Sequence, residues 1–260
     1  MSSQKSEIFL TVLIPARNEQ DNVRSTCVSI LRKFAEHSIS DYEILVVNDN
    51  SSDRTEAALR NLTDEFSDVK YVNNTPPHGF GFAVRKGLEH YRGQAVCIVM
   101  ADLSDSPDDI VKYYLKLREG YECVFGSRFL RGSTVIDYPM PKFVVNRLAN
   151  LFIRLLFRLD YNDITNAFKC YRREVIEGIQ PILSNHFNIT VELPLKAIVR
   201  GFSYAIMPIS WTNRRTGMSH FKLQEMGSRY VFIVLYVLFE KLLSRGDYRR
   251  RDPQKNESSR

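Results

Sequence analysis

Residues 95–109 read AVCIVMADLSDSPDD. Ala95–Met100 is an almost wholly apolar run, the pattern of a strand covered by helices on both faces. Carboxylates follow at once, and Pro107 stands just inside a helix expected to reach about Glu119. Upstream, Phe9–Ile14 (FLTVLI) is a β-branched run closed by Pro15. Asp21–His37 has helical spacing at Val23, Cys27, Ile30, Leu31 and Phe34, with Asp21 or Asn22 as N-cap. Tyr42–Val47 is the next strand and Arg54–Phe66 the next helix. Val69–Val72 then leads into Gly79-Phe80-Gly81 and a helix to about Tyr91, and Glu122–Phe125 is a further short strand. Strand–helix alternation with short connections predicts an α/β protein built on a mostly parallel, doubly wound sheet flanked by helices. Such sheets bind ligands at the carboxyl ends of their strands.

The segments at those ends are PARNE (15–19), NDNSSD (48–53), HGFGFAVRKG (78–87), MADLSD (100–105) and GSRF (126–129). One carboxylate after a strand does no more than cap the next helix. Five polar, charged or glycine-bearing segments in succession on one sheet edge indicate a site. The glycines are not a dinucleotide fingerprint, because Val84 occupies the last position of GxGxxG. No P-loop occurs, which disfavours ATP-driven phosphoryl transfer.

Charge is divided along the chain: residues 1–125 carry a net −5 and residues 126–260 a net +11. A polyanionic partner near the second half follows. Nucleic acid is disfavoured, since the basic residues line apolar helices rather than a polar, aromatic-studded groove. Cys27, Cys97, Cys123 and Cys170 form no CxxC pair, so neither a zinc ribbon nor a disulfide framework is expected. The opening MSSQKSEIF has no apolar leader segment, and a reduced cytoplasmic setting is expected.

PARNE, VNDNSSD (47–53), GFGFAVRKG (79–87), MADLSDSPDD (100–109), GSRF and DITNAFKCYRR (163–173) occur in the order seen in family 2 glycosyltransferases. The chain resembles, within that family, the dolichyl-phosphate mannosyltransferase and polyprenyl-phosphate hexosyltransferase group. WTNRRTGMSHFK (211–222) resembles that group's C-terminal signature, so the resemblance covers about residues 8–222. It implies a GT-A (Rossmann-like) fold, a nucleotide-diphosphate sugar donor, Mg²⁺ or Mn²⁺, and inversion at the sugar carbon. Carried over by position, Pro15, Arg17, Glu19 and Asp49 would border base and ribose, with Gly81 beside the nucleotide sugar. Asp102 would touch metal and diphosphate, with Ser104 or Asp105 assisting. Arg128, Arg214 and Ser219 would lie near the donor diphosphate or the acceptor phosphate, with His220 where the group has lysine. Met100 replaces the first Asp of the group's acidic motif and ligates no hard cation.

If the acceptor is an alcohol, a carboxylate must take its proton, and Glu192 or Asp163 would be the base. A phosphate monoester is already largely ionised near neutral pH, its second pKa being ~6, and needs only a cationic clamp. Glu192 would then position a sugar hydroxyl, or simply pair with Lys196 at i,i+4.

The second half points toward lipid. Phe143–Leu159 places Arg147, Asn150, Arg154 and Arg158 on one stripe of an otherwise apolar helix, the pattern of a helix lying in a bilayer surface. Tyr230–Phe239 is apolar all round, so protein, a subunit contact or lipid must cover it, and Arg245, Arg249, Arg250 and Arg251 follow as a basic segment for anionic headgroups. Neither run reaches the ~20 residues of a transmembrane span. The expected organisation is a transferase domain over 1–222, with an amphipathic interfacial helix within 141–159. An apolar helix with a basic tail follows over 223–251, and a disordered end over 252–260. The expected function is transfer of a hexose to polyprenyl phosphate by an enzyme peripheral to the cytoplasmic face of a membrane. The alternatives are a family 2 enzyme with a saccharide or other hydroxyl acceptor, and a membrane-attached nucleotide-sugar-binding module without turnover. The oligomeric state is left open, a homo-oligomer included.

Overall fold

The computed structural model describes residues 7–213 and 223–250, without the side chains of 223–226. Its first half alternates as expected: β1 (Leu10–Ala16), α1 (Val23–Glu36), β2 (Tyr42–Asn48), α2 (Thr55–Glu65), β3 (Val69–Asn73), α3 (Phe80–His90), β4 (Ala95–Ile98), α4 (Pro107–Arg118) and β5 (Cys123–Ser127). The second half contains β6 (Thr134–Ile136), α5 (Met140–Phe157), β7 (Lys169–Arg172), α6 (Arg173–Gly178), α7 (Ile189–Val199), β8 (Tyr204–Pro208), β9 (Ser210–Thr212) and α8 (Leu223–Leu243).

Seven strands form one sheet in the order β3-β2-β1-β4-β7-β5-β8, and β6 and β9 pair separately. The strands of the large sheet run parallel except β7, which lies antiparallel between β4 and β5. The carboxyl ends of β1 to β5 therefore share one edge, and β7 begins at that same edge. Alternation along β4 explains its apolar sequence: Val96 and Ile98 enter one core, Ala95 and Cys97 the other. The first core joins the sheet to α3, α5, α6, α7 and α8, and the second joins it to α1, α2 and α4. All four cysteines are buried and free.

The arginine-edged helix is α5, and its outer face is apolar and exposed at Val144, Leu148, Leu151, Phe152 and Leu155. Ile153 and Phe157 turn inward, and Asn150 is buried, donating to Asn146 and Thr165. Asn150 therefore belongs to the protein-facing side rather than to a solvated polar stripe. The run Tyr230–Phe239 is divided between two environments. Ile233, Val234 and Val237 enter the core, whereas Val231, Phe232, Leu235 and Phe239 are exposed, as are Leu242 and Leu243. Among the described residues no helix is long and apolar enough to cross a membrane.

Helix α8 is fixed by buried charge. Arg200 donates to both oxygens of Glu240 at 2.8 and 2.9 Å and also to the carbonyls of Gly178 and Gln180. Lys241 donates to the Phe157 carbonyl at 2.7 Å. Arg250, expected among lipid headgroups, instead pairs with Glu122 and lies over the Phe202 ring. Arg245 and Arg249 are exposed, and Arg251 lies outside the described residues.

Candidate active site

The first two loops at the sheet edge are laced together. Asn18, at a positive φ of 56°, accepts the Ser52 amide at 2.8 Å, and its own amide donates to Ser51 Oγ at 3.0 Å. The Glu19 amide donates to Thr55 Oγ1 at 2.9 Å. This leaves Arg17 exposed and Glu19 half-buried above buried Pro15. Asp49 is only 3% exposed. Its carboxylate accepts Asn74 Nδ2 at 2.7 Å and the Gly79 amide at 2.9 Å, with His78 Nδ1 at 3.2 Å. Asp49 thus ties down the loop between β3 and α3, a framework role beside the one expected toward base or ribose.

The acidic loop after β4 turns tightly through Leu103, at φ 60°. Asp102 is half-exposed and its Oδ1 accepts the Ser104 amide at 3.2 Å. Asp105 is buried and accepts the Met100 amide at 2.9 Å. Burial pushes its carboxyl up to about 7, although the Met100 amide and the charge of Arg128 act to lower it. Among the described residues no group of three or more His, Cys, Asp or Glu is placed to hold a metal. One accessible carboxylate with a second behind it does fit a hard cation whose other ligands are phosphate oxygens and water. It does not fit a resident, protein-caged ion.

Arg128 follows β5 and is buried. Its Nε and Nη2 donate to Asp163 at 2.8 and 2.7 Å, its amide donates to the same carboxylate at 2.9 Å, and Nη1 reaches Tyr138 Oη at 3.4 Å. Burial opposes the guanidinium charge, and Asp163 more than offsets this, so the Arg128 pKa is raised. Phe129, Tyr138 and Trp211 surround it with ring centroids at 5.4, 5.5 and 5.8 Å. Trp211 also bridges to Asp105 through the backbone, and Thr212 donates to the Ser104 carbonyl. The acidic loop and Arg128 therefore meet at one strand, β9. Two further cations join this cluster, Lys142 at 5.9 Å from the Trp211 ring and Arg147 at 4.4 Å from Phe129. The sequence singled out neither for this site. Arg147 was legible as part of an arginine stripe on α5, but the placement of the helix start beside GSRF was not.

Two predicted residues have other duties. A Cβ on Gly81 would stand 2.6 Å from the His186 nitrogen and 2.7 Å from the Ser184 carbonyl oxygen. Glycine is needed there for α3 to pack on the 184–186 backbone, a packing role beside the one expected toward the nucleotide sugar. Glu192 is fully buried: it accepts the Leu183 and Ser184 amides at 2.8 and 2.7 Å and pairs with Lys196 at 2.7 Å. The i,i+4 pairing with Lys196 is formed, and the carboxylate expected to act as base or to position a hydroxyl has no exposure to solvent. Asp163, the other candidate base, is equally enclosed and neutralised by Arg128. Arg214, Ser219 and His220 lie outside the described residues.

Residues 11–179 match the model of glycosyl transferase family 2. The chain belongs to this family. Among relatives of this family 2 glycosyltransferase is the polyprenol monophosphomannose synthase of Mycolicibacterium smegmatis, 31% identical over 234 residues, or 84% of this chain and 86% of that one. Another is the dolichol-phosphate mannosyltransferase of Pyrococcus furiosus, 28% identical over 193 residues; the alignment takes in 72% of this chain and 52% of that longer one. Solved structures of glucosyl-3-phosphoglycerate synthase from Mycobacterium tuberculosis share the GT-A fold. One complex with phosphoglyceric acid has a TM-score of 0.68 at 17% identity, covering 91% of this chain and 81% of that one. Another, with Mn²⁺, uridine diphosphate and glucosyl-3-phosphoglycerate, has a TM-score of 0.66 at 18% identity, covering 91% and 81%.

In this glycosyltransferase the edge thus holds two chemically distinct poles. Asp102 and Asp105 form one, suited to a hard cation. Arg128, Lys142 and Arg147 with their aromatic neighbours form the other, suited to anionic oxygen.

Proposed function

We propose that this family 2 glycosyltransferase transfers a hexose, with inversion, from a nucleotide-diphosphate sugar to a polyprenyl phosphate at the cytoplasmic face of a membrane. The observation that carries this acceptor is the enclosure of Asp163 and Glu192, the two carboxylates the sequence offers as base. Neither is open to take the proton of an alcohol. A phosphate monoester arrives ionised, because its second pKa is ~6. Its oxygen attacks the sugar carbon as the bond to the nucleoside diphosphate breaks, and that bond's electron pair leaves on the diphosphate. Arg128 and its neighbouring cations lie where negative oxygen gathers, and such groups stabilise the transition state more than the ground state. Asp102, with Asp105 or Ser104 behind it, would hold Mg²⁺ or Mn²⁺, which neutralises charge on the leaving diphosphate. The names of both relatives agree with a lipid-phosphate acceptor. The exposed apolar faces of α5 and α8 supply a surface on which such a lipid could be met.

The test is incubation with labelled nucleotide sugars, Mn²⁺ and a short-chain polyprenyl phosphate. Organic-soluble label is expected. Label in water-soluble saccharide alone would replace the proposed acceptor by a hydroxyl. Tight nucleotide binding without turnover at any metal concentration would reduce the chain to a binding module.

A further inference from the structure

Lys169 opens β7 at the functional edge, paired across the sheet with Ile98 on β4 and Phe125 on β5. Its side chain has no exposure to solvent. A buried ammonium is costly unless all three of its donors are used. Here they are: Nζ donates to the carbonyls of Ile164 at 3.0 Å, Thr190 at 3.2 Å, and Asn166. Two of these acceptors belong to the 160–168 loop and the third to the first turn of α7.

The same loop clasps the strand end that carries Arg128. Tyr161 Oη donates to the Gly126 carbonyl at 2.7 Å, and Asn166 Nδ2 donates to it at 3.1 Å. Ser127 Oγ donates to Asn162 at 2.6 Å, while Asp163 takes the guanidinium itself. Arg128 and Asp163 alone would be a neutral pair. Lys169 adds one positive charge within the same enclosure, and the charged or titratable groups around it are Asp163, Arg128, Asp105 and the Tyr161 ring at 5.8 Å.

We propose that Lys169 is a positioning residue for sugar transfer: it locks the 160–168 loop so that Asp163 aims Arg128 at the phosphates, and its ammonium form sets a further positive charge beside the Arg128–Asp163 pair. This rests on the assignment of Arg128 to the phosphate site.

The test compares Lys169→Gln, which keeps amide donors but no charge, with Lys169→Met, which keeps neither, using full-length protein and whichever acceptor the wild type glycosylates. Arg128→Lys is the control. Lys169→Gln is expected to recover most of the melting temperature lost in Lys169→Met, yet to stay about 100-fold below wild type in kcat. Donor binding, read by calorimetry with the nucleoside diphosphate and Mn²⁺, should stay within about threefold of wild type, since misalignment of a reacting group costs rate before it costs ground-state binding. Wild-type kcat should decline as pH rises above neutrality, an arm absent from Lys169→Gln. Full activity in Arg128→Lys would remove the assignment on which the proposal rests. Loss in Arg128→Lys together with a Lys169→Gln rate and pH profile like wild type would overturn the proposal itself. So would a Lys169→Gln rate that recovers in step with its melting temperature.

Discussion

Arg128 and Asp163 meet in a two-point hydrogen-bonded pair, 2.8 Å from Nε to Oδ2 and 2.7 Å from Nη2 to Oδ1, with both side chains buried. Taking one partner away strands the other's charge without water. Asp163→Ala is expected to destabilise the fold by about 3–5 kcal/mol, the usual cost of an orphaned buried charge. Urea unfolding measures this, and an unchanged midpoint would mean that water reaches Arg128.

Asp102 differs in being half-exposed, on the loop after β4, with Oδ1 accepting the Ser104 amide. Its carboxylate is not enclosed in the core, so Asp102→Ala should keep the fold and lose transfer activity by roughly 100-fold or more, as expected when charge stabilisation of a leaving group is removed. Initial rates across a Mn²⁺ series give the answer; a variant as fast as wild type would move the diphosphate elsewhere.

Gly81→Ala drives a methyl group into the 184–186 backbone. Overpacking of this kind costs about 1–3 kcal/mol. A drop in melting temperature should appear without a selective loss of nucleotide affinity, and calorimetry distinguishes the two.

Burial pulls the Lys169 pKa down to about 7 from the ordinary 10.5, with Asp163 acting in the opposite direction. Between these values the unfolded chain binds a proton that the folded chain has released, so this group adds stability as pH rises and adds nothing further below pH 7. Relative to Lys169→Met, wild type should gain up to about 1.4 kcal/mol per pH unit. Paired urea titrations at pH 7.5 and 8.5 test the sign; a gap that narrows with pH contradicts it.

Leu148, Leu151 and Leu155 on α5 and Phe232 and Phe239 on α8 expose large apolar side chains to solvent. Leu151→Glu and Phe232→Glu should each preserve the melting temperature and weaken flotation with anionic vesicles, because each apolar side chain of this size is worth about 1.5–3 kcal/mol when fully buried. Undiminished flotation in the double variant would acquit these faces.

The apolar run at 95–100 was enough to place β4 between two helical layers, and the parallel edge followed from the alternation around it. What stayed illegible was contact between distant segments. DITNAFKCYRR gives no sign that β7 runs backwards, nor that Asp163 pairs with Arg128, because both depend on how residues 130–168 return to the sheet. The packing role of Gly81 was hidden for a related reason: a glycine needed against a neighbouring backbone looks, in sequence, like one needed against a ligand. Glu192 and Lys196 were legible as an i,i+4 pair. Their complete burial was not, since it is α8, far along the chain, that covers them.

The Arg200–Glu240 pair has a practical corollary. A chain shortened before Leu223 would leave a guanidinium facing an emptied slot, and the first core would lose Ile233, Val234 and Val237 with it. The greasy outer helix and the chemical edge are consequently one thermodynamic unit, and truncation would read out collapse where point changes read out attachment.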